Sequence, residues 1–298
     1  MKNLINVSVV MAVKNESKYI LSAVKSILEQ KGLTFELILV DDNSTDETCE
    51  LVYREFSSYK NFYVYKNPKK GKVSAFNYGV SKSKGNFICL FAGDDIMPKN
   101  SLLDRFRLIS GLPKEKPIAG LYKILTISEN KKFNGKLFPK RKGQGSLSGQ
   151  SPLMNRSTID LLFPVPDSLP NEDTWLEVAF RHTNLVDLYH SDVICCYWRM
   201  HEGNSQNMAM PYAVYKKKMV LRRQAYRLFL EKNKSILEHK EIINLENMVE
   251  GIEHYANENI SGLLLIKADL MWKIRIISTI NPFFYSIRRN FYGLLSGW

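Results

Sequence analysis

The chain has 298 residues, 45% of them hydrophobic and 24% charged, and carries a formal net charge of +12. This balance supports a sizeable apolar core and excludes a disordered chain, and no window reaches the roughly 18 uninterrupted apolar residues of a membrane-spanning helix. The basic excess points to anionic partners such as nucleotides or phospholipid headgroups, while no basic stretch interleaved with stacking aromatics marks a nucleic-acid module.

The chain opens with MKNLINVSVVMAVKNE, whose apolar run is broken by Asn6 and Ser8 and is followed by no small-residue cleavage site. Residues 7–13 therefore read as a first strand and not as a leader. Residues 17–30 place Ile20, Val24, Ile27 and Leu28 at helical spacing. A second apolar run, 35–40, ends at Asp41 and Asp42, and Ser44 and Glu47 beyond it have the spacing of a capping box for the next helix. Strand, helix, strand, acidic turn and helix make a βαβ opening.

A short strand at 62–65 and a helix at 72–81 follow. The segment KGNFICLFAGDDIMP, residues 84–98, then places an apolar β-forming run at 87–91 just before Asp94 and Asp95. Such a run reads as a strand buried on both faces, with Cys89 inside it as a small hydrophobe. Right-handed crossovers place these strands in one parallel sheet with helices on both faces, and the carboxyl edge of such a sheet is where ligands bind. Adjacent carboxylates at that edge repel each other unless a cation lies between them. The pair reads either as a divalent-ion site for an anionic ligand or as a turn built from Gly, Asp and Pro.

Residues 98–127 read as a helix, then Pro113 and Pro117, then a strand at 118–127. Lys131, Lys132, Lys136, Lys140, Arg141 and Lys142 follow without an acid. They form either a mobile solvated loop or a clamp for a phosphate-bearing acceptor, with Gly143, Gly145 and Gly149 letting it rearrange. PNEDTW, 170–175, starts an amphipathic helix and puts Glu172 and Asp173 at its amino terminus, where the helix dipole favours carboxylates. Arg199 and His201 of YWRMHEGNS alternate along an extended run after 193–197 and share one face.

Beyond Asn207 the chain turns helical and basic, with one helix at 212–232 and one or two more at 236–259. Residues 262–298 mix Leu264, Leu265, Met271 and Trp272 with Lys267, Lys273 and Arg275, before Pro282, Arg288, Arg289 and an apolar tail. This pattern favours a helical surface lying in a membrane interface over a helical cap packed on the catalytic domain or an oligomer contact. Cys49, Cys89, Cys195 and Cys196 lack the CxxC spacing of a zinc or redox site, which suits a reducing cytoplasm.

Taken together, VSVVMAVKNE, FELILVDDNSTDET, GKVSAFNYG, KGNFICLFAGDD, PNEDTW and YWRMHEGNS, in this order across residues 5–206, resemble a family 2 glycosyltransferase. The resemblance implies an α/β GT-A fold: a Rossmann-like, mostly parallel nucleotide-binding sheet with flanking helices. It places a catalytic domain at 1–207, which leaves 208–298 as a helical extension whose basic amphipathic pattern favours membrane association. The implied activity is metal-dependent, inverting transfer of a sugar from a nucleoside diphosphate sugar, UDP preferred. The acceptor would be a hydroxyl of a glycan or lipid-linked oligosaccharide in surface polysaccharide assembly, at the cytoplasmic face of the plasma membrane.

By the same resemblance the donor pocket holds Ala12, Lys14 and Glu16, with Asp42 reading the base edge. Lys72 approaches ribose or phosphates, and Arg199 meets the diphosphate. Lys14 stands where the family often has an aromatic ring, and Ala92 where the first acid of its DxD pattern falls. Asp95 is then the metal ligand proper, with Asp94 on ribose or metal and His201 at or near the ion, which is Mn2+ or Mg2+. Asp173 is the general base, and Glu172 and Trp175 serve the acceptor. Two rivals are a sugar-phosphate nucleotidyltransferase, which needs a Gly-rich loop after strand one where VMAVKNES has no glycine, and a non-catalytic nucleotide-sugar-binding subunit.

Overall fold

The computed structural model describes residues 5–131, 133–201 and 210–290. Lys132, residues 202–205 of the YWRMHEGNS motif, the expected boundary at 207/208 and the tail from 291 lie outside the described residues. The chain gathers into two compact units: residues 5–167 with 186–201, and residues 168–185 with 210–290.

The first unit is built on one sheet. Strands β1 (Val7–Val13), β2 (Phe35–Asp41), β3 (Phe62–Lys66) and β4 (Phe87–Ala92) lie in the order β3-β2-β1-β4, all parallel. Strand β7 (Leu153–Asn155) pairs antiparallel with both β4 and β5 (Ile118–Ile127), so β5 runs in the direction of β4. Strand β8 (Asp187–Arg199) is parallel to β5, and β6 (Leu137–Phe138) closes against β5 as a short antiparallel return. The carboxyl ends of β1, β2, β4, β5 and β8 consequently share one edge.

Helices α1 (Ile20–Leu28), α2 (Thr48–Phe56), α3 (Lys72–Lys82), α4 (Ser101–Ile109) and α5 (Arg156–Leu162) flank this sheet. The near-continuous Val, Ile, Leu and Phe runs of β1 and β4 are buried except at the partly exposed Ala12 and Ala92 near their carboxyl ends, as strands covered on both faces require. Val9, Met11, Leu37, Leu39, Cys89 and Phe91 share one core with Val24 and Ile27 of α1 and Leu102 of α4.

Two local expectations change. Helix α2 starts at Thr48, and Glu47 before it makes no side-chain cap. Because β1 and β2 are parallel neighbours their following loops lie side by side, and the polar residues of the presumed capping box bond across instead. Ser44 Oγ accepts the Asn15 N–H (2.9 Å), Thr48 Oγ1 that of Glu16 (2.8 Å), and Asn15 Oδ1 that of Thr45 (2.8 Å). The basic segment, second, is sewn to the sheet. Gly143 N–H bonds Asp192 (2.8 Å), Gly145 N–H bonds His190 (3.1 Å), and Lys123 Nζ meets Asp192 at 2.9 Å. A Cβ on Gly145 would lie 2.1 Å from the Leu121 backbone, so this glycine serves close packing on β5 and not a hinge.

The second unit is helical: α6 (Asp173–His182), α7 (Tyr212–Asn233), α8 (His239–Ala256), α9 (Ile260–Leu265), α10 (Leu270–Ile277) and α11 (Pro282–Asn290). Helix α8 is a single element, begun by a capping box of Glu238 and Glu241, and Glu241 also accepts the Asn184 N–H at 2.6 Å. Trp175 is fully buried, its ring 4.9 Å from that of Phe229. It belongs to the core of this unit, which corrects the expectation that it lines an acceptor surface. Among the described residues no helix is long and apolar enough to cross a membrane.

His182, in the last turn of α6, lies against Tyr226 with ring centroids 5.6 Å apart. Burial, with Arg181 beside it, pushes its imidazole down from 6.5 to about 4. The unfolded chain takes up this proton near pH 6.5 and the folded chain only near pH 4. Stability is therefore lost as pH falls through that window, by on the order of 2–3 kcal/mol for a group still partly exposed. Urea midpoints measured from pH 7 to 4 should show this slope, and His182→Gln should flatten it.

Candidate active site at the carboxyl edge of the sheet

At the end of β1, Ala12 pairs with Val40 of β2 and Ala92 of β4, so three chain segments leave the sheet side by side. Asp42 follows β2, its N–H bonded to the Val13 carbonyl at 2.8 Å. Its Oδ1 accepts from Gly71 N–H (2.7 Å) and Asn67 Nδ2 (2.8 Å), while Oδ2 faces the half-exposed Lys14 ammonium at 4.0 Å. The carboxylate is held by one oxygen and presents the other. Asp41 accepts the Ser44 N–H at 3.1 Å and ends its strand as a structural acceptor. Lys72 is the exposed first residue of α3, its ammonium 5.4 Å from the Phe76 ring centre.

Beyond β4 the turn packs closely on the β1 loop. A Cβ on Gly93 would lie 2.8 Å from Val13 Cγ1 and 3.2 Å from Glu16 Cγ, so only glycine lets Asp94 approach Glu16 this way. Burial first, then Asp94 and Asp46, pushes the Glu16 carboxyl up to about 7. Asp94 Oδ2 lies 3.1 Å from His201 Nε2, and its backbone carbonyl accepts Arg199 Nε at 2.8 Å.

Asp95 is fully buried, with both oxygens engaged. Oδ1 accepts the Arg199 N–H at 2.6 Å, and Oδ2 accepts Gln150 Nε2 at 2.5 Å. Gln150 Oε1 accepts in turn from Cys196 Sγ at 3.0 Å. Burial, then the neighbouring Asp94, pushes the Asp95 carboxyl well above the usual carboxylate range. Ile96 and Tyr197 exchange backbone bonds of 3.2 and 2.8 Å, completing the seam between the acidic turn and the end of β8. The Arg199 guanidinium sits 4.7 Å from the Tyr19 ring centre, and the His201 ring lies 5.1 Å from the same tyrosine.

One edge thus brings together Ala12, Lys14, Glu16, Asp42, Asp94, Asp95, Arg199 and His201. Asp173 is the first residue of α6 in the helical unit, as its helix-start pattern predicts, with Oδ2 3.4 Å from Arg222 Nη2; the buried Glu172 precedes it. Tyr19 and Gln150 escaped the sequence reading. Tyr19 carried a weak signal, an aromatic ring at the start of α1 close to the acidic loop. Gln150 carried none, because its partner lies 55 positions away.

The chemistry of the donors tests whether a divalent ion fits. Among the described residues no group of three His, Cys, Asp or Glu side chains could hold a metal. Asp94 and His201 supply two donors 3.1 Å apart, close to the ~3 Å between neighbouring ligands each about 2.1 Å from one ion. A small hard cation that completes its shell with phosphate oxygens and water needs no more protein ligands than that. The residues present fit such an ion, Asp94 and His201 being the pair whose donor atoms stand at that spacing.

The profile of Glycosyl transferase family 2 matches residues 8–151. This stretch is a family 2 glycosyltransferase domain. Over 99 residues the chain is 34% identical to glycosyltransferase GlyG of Streptococcus pneumoniae serotype 4, covering 32% of each protein. Over 130 residues it is 28% identical to the dolichyl N-acetyl-alpha-D-glucosaminyl phosphate 3-beta-D-2,3-diacetamido-2,3-dideoxy-beta-D-glucuronosyltransferase of Methanococcus voltae, covering 42% of this chain and 40% of that one. The chain thus spans a third to two-fifths of the length of these curated relatives.

Solved structures extend the likeness in fold. S. aureus TarS 1-349 in complex with UDP-GlcNAc superposes with a TM-score of 0.60 at 18% identity, over 97% of this chain and 92% of that one. Mannosyltransferase PcManGT from Pyrobaculum calidifontis, in complex with GDP-Man and Mn2+, gives 0.57 at 15% identity, over 99% and 86%. The family 2 domain therefore has the GT-A fold: a central, mostly parallel sheet with flanking helices.

Proposed function

We propose that the chain is a metal-dependent, inverting glycosyltransferase that moves a sugar from a nucleoside diphosphate sugar to a hydroxyl group. The observation that carries this reading is the Asp94–His201 pair, 3.1 Å apart beside Arg199, on the same sheet edge as Asp42. Asp42 offers its second oxygen to a ring N–H of the base, and a site built for that bond rejects bases lacking the donor. Arg199, steadied by Tyr19, pairs with the diphosphate, and Lys72 offers a second cation from the start of α3. A divalent ion held by Asp94 and His201 would offset the negative charge of the departing nucleoside diphosphate.

Asp173 takes the proton of the acceptor hydroxyl. The oxygen then forms its bond to the anomeric carbon on the face opposite the diphosphate, whose C–O bond breaks with the electron pair leaving on phosphate oxygen. Asp95, engaged through both oxygens, straps Arg199 to the acidic turn. UDP-sugars are the first candidates, in line with the UDP-GlcNAc complex of the TarS neighbour. A lipid-linked sugar in polysaccharide assembly at the cytoplasmic membrane face is the proposed acceptor. It is supported by the Methanococcus voltae relative, which is named for a dolichyl sugar phosphate.

Thermal-shift measurements with UDP- and GDP-sugars, with and without Mn2+, test the donor half. A ligand at about 100 times its Kd stabilises the fold by ~2.7 kcal/mol, a clear rise in Tm. No shift with any nucleoside diphosphate sugar, with or without metal, would remove the reading.

A further inference from the structure

The last three helices carry apolar side chains on two sides. In α10, Trp272 and Ile276 are buried, whereas Leu270, Met271 and Ile274 are 68%, 58% and 47% exposed. With about 3.6 residues per turn these two sets lie on roughly opposite faces, bordered by Arg275 on one side and Lys273 on the other. Helix α9 ends in Leu264 and Leu265, 59% and 84% exposed, and Lys273 Nζ donates to the Leu264 carbonyl at 2.8 Å, so that end lies beside α10. In α11 Tyr285 is buried and Phe283 is 67% exposed; Arg288 donates to Ser278 Oγ at 2.8 Å and ties α11 to the end of α10.

Single exposed leucines need no explanation, but a second apolar face on a helix calls for a second apolar neighbour. Its flanks name the neighbour. Residues 260–290 contain Lys267, Lys273, Arg275, Arg288 and Arg289 against one acid, Asp269, whose carboxylate caps α10 by accepting the Trp272 N–H at 2.9 Å.

We propose that this face of α9, α10 and α11 docks on an anionic lipid surface, its apolar side chains entering the acyl boundary and its basic groups meeting lipid phosphates. Charge decides against a second copy of the chain, since two such faces would repel. Lysine and arginine stems suit the role because they lie along apolar surface while their charges reach the headgroups. The proposal names the surface at which a lipid-linked acceptor would be met, and rests on the transferase reading for that purpose alone.

Flotation of the full-length protein with phosphatidylcholine vesicles, with or without about 30% phosphatidylglycerol, tests it. The wild type should float with the anionic vesicles, less with neutral ones and less at high salt. Leu265→Glu with Leu270→Glu, and separately Lys267→Glu with Arg275→Glu, should each lower the bound fraction about tenfold, with unchanged circular dichroism and donor-induced thermal shift. Wild type left unbound by anionic vesicles, or variants floating as it does, would overturn docking. So would a dimer that Leu265→Glu with Leu270→Glu dissolves in the absence of any flotation. Flotation in a protein that shows no donor-induced shift would uphold docking and remove only the transferase reading.

Discussion

Asp94→Asn is expected to cut Mn2+ affinity in the presence of a nucleoside diphosphate by more than the ~10–100-fold that changes behind a metal ligand cost. The donor-induced thermal shift should lose its metal dependence, with the unliganded Tm nearly unchanged. The fold is spared because the backbone carbonyl of Asp94, and not its side chain, takes the Arg199 Nε bond. Asp95→Ala should behave in the opposite way. It strips the partner from two part-buried donors, the Arg199 N–H and the Gln150 amide, at on the order of 1 kcal/mol each, so its first effect is a lower unfolding midpoint. Titration calorimetry with Mn2+ and urea unfolding on both variants separate the roles. An Asp95→Ala protein of native stability that no longer binds Mn2+, beside an Asp94→Asn protein that does, would return the ligand role to Asp95.

The exchange of roles proposed for Asp94 and Asp95 shows where reading from sequence stops. Strands β1 and β5 stand at the bounds their apolar runs imply, because a strand buried on both faces writes its whole length into composition. That β1 to β4 form one parallel sheet follows from the same runs and the helices between them, whereas their order and the antiparallel β7 do not. Asp94 and Asp95 are legible as a pair at the strand end. Which of them turns inward depends on Gln150 and on the end of β8, more than 50 and more than 100 positions away, and no local pattern encodes that. Ser44 fails as a cap for a related reason: its hydroxyl accepts the Asn15 N–H of the neighbouring loop, and Thr48 Oγ1 accepts that of Glu16. Helix α1 begins at Ile20 instead of near Ser17 because that loop is spent on these cross-bonds. Trp175 carries the pattern of a helix face and nothing in it distinguishes a surface that meets a ligand from one that meets Phe229.

Asp173→Asn is expected to lower turnover by about 10²–10⁴, the range a positioned base contributes, with donor binding intact. The side chain has two accounts that predict different sizes of effect on different quantities. As an acidic helix start it stabilises the amino terminus of α6 by roughly 0.3–1 kcal/mol, and its loss would be a small fall in unfolding midpoint with unchanged kcat. As the base it sets kcat and leaves the donor's thermal shift alone. Asparagine keeps the size and one oxygen toward Arg222 Nη2, so the variant isolates the proton-accepting oxygen from packing. Donor hydrolysis without acceptor supplies the second arm. There water presents the proton in place of the acceptor hydroxyl, and its rate should fall in the same variant if one carboxylate serves both. Hydrolysis that persists at the wild-type rate, together with unchanged transfer, leaves Asp173 a helix-start acid and moves the search for the base elsewhere in the chain.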